Sequence, residues 1–236
     1  MVERLTTRIG ATTLVLGLVL LAISQVWHPS HENPMDNPAV FREYAQSHDW
    51  TTIHLVEYAG YLLLLGGLVA MFYAVAVRPD VGAAVARFGL AAAVTSAAAF
   101  TILQAVDGVA LKRAVDAWAS APADRQAAAF AAAEAVRWIE IGVNGLANIL
   151  VGATLILFGV ALALGRVYPR WLGGLAAVAG LGRLIHGGVV SYRGFVASIS
   201  GLVGLVLLAI WVCTMAVLLW RHGSRPAEGE APSLRP

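Results

Sequence analysis

Apolar positions in this chain fall in long unbroken stretches, not in the alternation of strands or the narrow stripes of soluble helices. Runs at about 8–27, 52–77, 84–111, 138–164, 171–190 and 197–220 each approach or exceed the ~20 residues that cross a bilayer's hydrocarbon core. Backbone amides find no water there, so spanning segments must be helices or strands of closed barrels, and these runs are too long for barrel strands. The pattern predicts an all-α integral membrane bundle of about six transmembrane helices. Residues 1–220 are expected to form a single transmembrane helical domain, followed over 221–236 by a short disordered cytoplasmic tail rich in proline and polar residues.

The polar positions that interrupt these runs are the informative ones. Glu134, Arg137, Glu140, Asn144 and Asn148 lead into the fourth run, and at roughly 100° per residue they share about a third of one helix circumference. The second run opens with His54, Glu57, Tyr58 and Tyr61 on a common face, with Glu57 about 9 Å inside the helix start. Gln104 and Asp107 share a face near the end of the third run, and Arg183 and His186 near the end of the fifth. If the spans alternate direction, all four groups lie toward the same membrane face. Ionisable groups inside a span are costly to bury and mark candidate functional sites. A single polar cluster in the outer third of the bundle is the simplest arrangement. Within the opening stripe, Glu134 and Arg137 are expected to be the more solvated part and Glu140, Asn144 and Asn148 the inward part.

The connections add local detail. The third run continues past Lys112 and Arg113 to Ser120-Ala-Pro122, and Ala123 to Val136 is mostly helix-forming. Helices 3 and 4 should therefore form a hairpin extending beyond the outer membrane surface, with Pro122 in the first turn of the second arm. The outer loop 28–50 holds Asn37-Pro38, read as an N-cap with proline at the first helical position, opening a short interfacial helix with Val40, Phe41 and Tyr44 on one side. Trp50 is expected to mark the membrane boundary. His28, His31 and His48 are read as solvated loop residues, His222 as a tail residue, and Tyr58, Tyr61 and Trp138 as packing residues before pocket walls. Gly187-Gly188 is expected to loosen or end the fifth span.

Composition agrees with the pattern and excludes several classes. The chain is 59% hydrophobic and 13% charged with a net charge of +2, so no nucleic-acid-binding stripe exists. Its single cysteine, Cys213, excludes an intrachain disulfide and any CxxC or CxxCH motif. Arg4 and Arg8 before an apolar run resemble the start of a signal peptide, but no small-x-small cleavage site follows, so an uncleaved first span is expected. Arg4, Arg8, Arg78, Arg87, Arg166, Arg170, Arg221, Arg225 and Arg235 fall on one side of the spans, against Arg42, Lys112, Arg113, Arg125 and Arg193 on the other. This bias places both termini in the cytoplasm and the chain in the bacterial inner membrane.

Three kinds of chemistry fit these residues beside a purely structural one. The expected function is a polar, charged pocket that binds a small or lipid-like ligand, or a role of the protein as an accessory subunit, with His54, Tyr58, Gln104, Arg137, Glu140, Asn144, Asn148, Arg183 and His186 as ligand-binding candidates. The alternative is a membrane-embedded enzyme of cyclase or isomerase type on a lipid-like or terpenoid substrate. There a carboxylic acid held protonated by desolvation, Glu57 or Asp107, would be the catalytic acid. The third is a haem or divalent metal site drawing on His54, Glu57, Asp107, Glu140 and His186. The di-metal carboxylate signature needs Glu-x-x-His on two helices, and the one motif here, His54-x-x-Glu57, runs in the reverse order. In the structural reading the charges only pair, Glu57 with Arg137 and Asp107 or Glu140 with Arg183, and fix helix register. The expected partners are the lipid bilayer and a lipid-like or small-molecule ligand, with no nucleic acid.

The motifs Trp27-His28-Pro29, Trp50-x-x-x-His54-Leu55, Asp107-Gly108-x-Ala110-Leu111-Lys112 and Glu134-x-x-x-Trp138-x-Glu140 resemble those of small bacterial multi-pass membrane proteins of a domain-of-unknown-function type, over about residues 8–220. The resemblance implies a helical bundle and the same choice of polar residues; it implies no reaction.

Overall fold

A computed structural model describes residues 2–76, 80–165 and 167–222. The helices are α1 (Val2–Trp27), α2 (Asn37–Gln46), α3 (Trp50–Val75), α4 (Val81–Gln104), α5 (Lys112–Ala119), α6 (Gln126–Leu164), α7 (Arg170–Arg193) and α8 (Ile199–His222), with a π-helical segment, Ala105–Leu111, joining α4 to α5. Six helical stretches are long and apolar enough to cross a membrane, with α4, the π segment and α5 counting as one. The chain is thus an all-α, multi-pass bundle. Arg221 and His222 belong to α8 rather than to a tail. The rest of the expected tail, with Arg225 and Arg235, lies outside the described residues, as do Arg78 and Arg166.

Around the bundle the neighbours run α1, α3, α4, α6, α7, α8 and back to α1. Small residues set how closely they approach. Gly145, Gly152 and Gly159 of α6 meet Gly187, Gly180 and Gly173 of α7 in antiparallel register, each pair seven residues from the next. A Cβ on Gly152 would fall 2.6 Å from the Gly180 carbonyl oxygen, and one on Gly180 at 2.6 Å from that of Gly152. Such approach lets backbones touch, which compensates for the weak hydrophobic drive between helices in lipid. It also explains why α7 runs through Gly187-Gly188 to Arg193. Gly187 is a rung of this ladder, and the packing outweighs glycine's low helix propensity. The helix ends instead at Gly194, the positive-φ residue among those described (φ 75°).

Two 39-residue stretches, Val81–Ala119 and Gln126–Leu164, reach about 58 Å each at 1.5 Å rise per residue, far beyond the ~30 Å hydrocarbon core. Their excess forms the expected hairpin, joined by a turn in which the Arg125 amide donates to the Pro122 carbonyl (2.9 Å). Pro122 therefore sits in the turn, and α6 begins only at Gln126. Against this hairpin lies α2, forming a second small core of Val40, Phe41, Tyr44, Trp50, Leu111, Val115 and Ala133, with Trp118 and Phe130 packed on it.

Both ends of α2 are satisfied by side chains, though not as the sequence suggested. Its N-cap is Asp36, whose Oδ1 accepts from the Ala39 amide (3.2 Å). Asn37 instead donates through Nδ2 to Glu134 Oε1 across the hairpin (3.0 Å). At the other end Lys112 Nζ donates to the Tyr44 and Ala45 carbonyls (3.2 and 3.3 Å) and to Asp116 (2.6 Å), placing a cation at the negative helix terminus. Trp50 is no boundary marker: it is fully buried, with Nε1 donating to the Asp107 carbonyl (2.9 Å).

Candidate functional site

The π segment explains the local geometry. Its wide turns bring carbonyls toward α3, where Trp50 takes that of Asp107 and the Thr51 hydroxyl donates to that of Gly108 (2.9 Å). A Cβ at Gly108 would meet His54 Cβ at 2.6 Å, so glycine here lets the two elements touch. Single π turns of this kind occur often at functional sites. His54 Nδ1 donates to the Trp50 carbonyl (2.8 Å), which leaves Nε2 facing Asp107 Oδ2 at 3.1 Å.

Beside this contact, at the hairpin end of the bundle, lies a cavity of about 370 Å³. Glu57, Asp107, Arg137, Glu140 and Asn144 all line it, with His28, Pro34, Glu43, Tyr44 and Phe195 closing it from the connecting segments. Arg137 is 2% exposed, contrary to the solvated position expected of it. Its Nη1 donates to both oxygens of Glu140 (2.9 and 2.7 Å) and its Nη2 to the Pro34 carbonyl (3.1 Å), while its guanidinium carbon stands 4.7 Å from the Phe195 ring centre and 5.5 Å from that of Tyr44. One cation therefore ties α6 to the 28–36 segment, α2 and the α7–α8 connection.

The expected charge pairs do not form. Arg137 pairs with Glu140 on its own helix, three residues away, rather than with Glu57. Glu57 Oε2 instead accepts from Gln104 Nε2 (3.2 Å). Arg183 donates to Asn148 Oδ1, and Asn148 Nδ2 donates to Asn144 at both its carbonyl (3.0 Å) and its side-chain oxygen (2.8 Å). Asn148 lies about 12 Å along α6 from Glu140 at 1.5 Å rise per residue, too deep for Arg183 to serve that carboxylate.

The predicted residues thus separate into groups. Five line the cavity, His54 and Gln104 stand behind two of its acids, and Asn148 and Arg183 continue the polar line inward. Tyr58 and His186 do not line it. The Tyr58 hydroxyl accepts from Thr101 on α4 (3.2 Å), and His186 Nδ1 lies 2.8 Å from the Ser198 hydroxyl at the start of α8. Among the described residues no three His, Cys, Asp or Glu side chains gather in a group that could hold a metal ion. Haem ligation by His54 and His186 also fits poorly, since both His54 ring nitrogens already face the Trp50 carbonyl and Asp107.

Sequence reasoning missed His28, Tyr44, Trp50, Gly108 and Phe195. His28 is half-buried, with its ring 4.9 Å from that of Trp50 and 5.4 Å from that of His54. Its Nδ1 donates to the Pro29 carbonyl (2.7 Å). Burial pushes its pKa below 6.5, with Asp107 only partly opposing. Burial likewise raises the Tyr44 phenol. Burial alone would raise Glu43 too, but the His31 amide and ring and the Glu32 amide donate to it and hold it below the usual carboxylate value. His31 itself is exposed, as is His48. The available signal for the missed residues was aromatic and histidine side chains set immediately beside span ends, at Trp27-His28-Pro29 and Trp50-x-x-x-His54.

Six apolar helices define the class: a multi-pass helical membrane protein. No family model, curated protein or solved structure matches the chain.

Proposed function

We propose that this protein binds a small or lipid-like ligand in the polar cavity at the hairpin end of the bundle. The observation that carries the reading is the cavity itself: about 370 Å³, walled by Glu57, Asp107, Arg137, Glu140 and Asn144 from three helical stretches long and apolar enough to span a membrane. Helix register could be held by far fewer charges, and register alone does not call for an open volume among them. The Lys and Arg bias of the connections supports a cytoplasmic-membrane setting with this end outward, so that ligands would enter from the outer-leaflet side. Mass spectrometry of gently extracted protein tests the reading. A bound small molecule or lipid should leave with the protein and be lost from Glu57→Gln; ligand-free protein with no uptake from a lipid extract would refute it.

A second reading is favoured by one contact. With Nδ1–H of His54 on a carbonyl, its buried Nε2 makes no hydrogen bond and lies 3.1 Å from Asp107 Oδ2. Asp107 lines the cavity, so a proton carried by this pair would face a bound substrate, as acid catalysis on a lipid-like molecule requires. Turnover abolished in Asp107→Asn with folding intact would support it; full turnover in that variant would exclude it.

A further inference from the structure

Among the described carboxylates that line the cavity, Glu57 and the exposed Glu32 form no ion pair, and Glu57 is the more enclosed of the two. Glu140 has Arg137, Glu43 has His31 and Asp107 has His54. Glu57 has only the neutral amide of Gln104, which reaches one of its two oxygens. Two buried acceptors lack donors at the same place. Gln104, 7% exposed, turns its Nε2 onto Glu57 and leaves Oε1 buried without a donor. Asp107 Oδ1 is buried without a donor as well. Both Nη groups of the Arg137 guanidinium are committed to Glu140 and Pro34, and its Nε–H is buried without a partner. A desolvated carboxylate beside unfilled acceptors is a costly arrangement unless something supplies positive charge and N–H groups.

A second cavity lies beneath the first. It is apolar, about 80 Å³, lined by Leu64, Leu65, Leu68 and Leu208 among others, with Tyr61 and Phe100 stacked 3.6 Å apart at its near end. Tyr61 is one turn beyond Glu57 on α3, and Phe100 one turn before Gln104 on α4, each about 6 Å along its helix. Polar and apolar volumes therefore follow one another along the bundle.

We propose that the ligand is a cationic amphiphile with a primary ammonium head. Its N–H groups meet the carboxylates of Glu57 and Asp107 on the cavity wall, and its apolar part points toward the lower cavity past Tyr61 and Phe100. A primary ammonium carries three donors and no acceptor, which is the complement of this floor, and bonds to ionised partners are the stronger kind. An anionic head would face Glu57 and Asp107 and be repelled. The inference rests on the ligand-binding reading above and adds the sign and chemistry of the head.

Binding to the full chain in a non-ionic detergent, measured calorimetrically with dodecylammonium, dodecanol and dodecyl phosphate, tests it. Dodecylammonium should bind with one-to-one stoichiometry at least tenfold more tightly than either analogue, and Glu57→Gln should remove that tenfold preference at unchanged melting temperature. Should Glu57→Gln aggregate, Asp107→Asn carries the same test. Equal binding of all three probes, insensitive to either variant, overturns the cationic head but leaves the cavity a ligand site. Binding of magnesium ions alone, in competition with dodecylammonium and lost in Glu57→Gln, overturns it in favour of a metal. No binding of any probe, with nothing co-purifying, removes the ligand-binding reading as well.

Discussion

Replacing Glu140 by glutamine should be among the most damaging conservative changes in this protein. The two partners are 2% exposed each, and Glu140 accepts both its hydrogen bonds from Arg137. Removing one member of a buried pair leaves an uncompensated charge and costs about 3–5 kcal/mol. For 236 residues at the usual entropy of unfolding, roughly 0.5 kcal/mol per degree, that loss lowers the melting temperature by about 6–10 °C. Thermal unfolding in detergent, followed by intrinsic tryptophan fluorescence, is a suitable assay. A double variant, Arg137→Met with Glu140→Leu, removes both charges and should recover most of the loss. It cannot restore the bond to the Pro34 carbonyl, so amide exchange in the 28–36 segment should stay faster than in the parent even where stability has returned. A melting temperature within about 2 °C of the parent for Glu140→Gln, where several times that shift is expected of a broken buried pair, would refute the argument.

Three further outcomes follow from single contacts. Gly108→Ala sets a Cβ 2.6 Å from His54 Cβ, forcing α3 and the π segment apart at about 1–3 kcal/mol, with a matching change in Trp50 fluorescence; unchanged stability and emission would contradict it. Lys112→Met uncovers the Tyr44 and Ala45 carbonyls and should cost about 1–2 kcal/mol, read as faster hydrogen exchange confined to α2. Acidification should destabilise the fold in two stages. The folded pKa of His28 is below 6.5, so the unfolded chain takes up the proton first, and stability present above pH 6.5 falls as the pH drops beneath it. Glu43, held below its ordinary 4.5, contributes stability above that pH that is lost on further descent. Melting temperatures between pH 8 and 4 should decline accordingly, His28→Asn should flatten the first stage, and a flat profile in the parent would count against both assignments.

The bundle was readable because bilayer length and apolar composition act residue by residue. The gathering of Glu57, Asp107, Glu140 and Asn144 was readable because alternating spans bring the same ends together. What the sequence hid were choices of partner. Arg137 could have reached Glu57, Glu140 or solvent by spacing alone, and what decides it is a loop carbonyl at Pro34 and the rings of Tyr44 and Phe195, all remote along the chain. The π segment was equally hidden, since Ala105–Leu111 has an ordinary helical composition and its wider turns are stabilised by donors from Trp50 and Thr51 on another helix. The swap of N-cap from Asn37 to Asp36 has the same origin: Glu134 on the distant hairpin claims the asparagine.

The glycine ladder between α6 and α7 acts as a ruler with coarse divisions. Rungs recur every seven residues, about 10.5 Å of helix, so the two helices have no nearby alternative register. A single-residue insertion between Gly145 and Gly159 would turn some rungs about 100° off the contact face, and no sliding of α7 could realign them. Only a whole seven-residue insertion made in both helices would keep the rungs opposed on the contact face. The lengths of these two helices should therefore change together or not at all as such sequences diverge, even though the connection between them is short and free to vary.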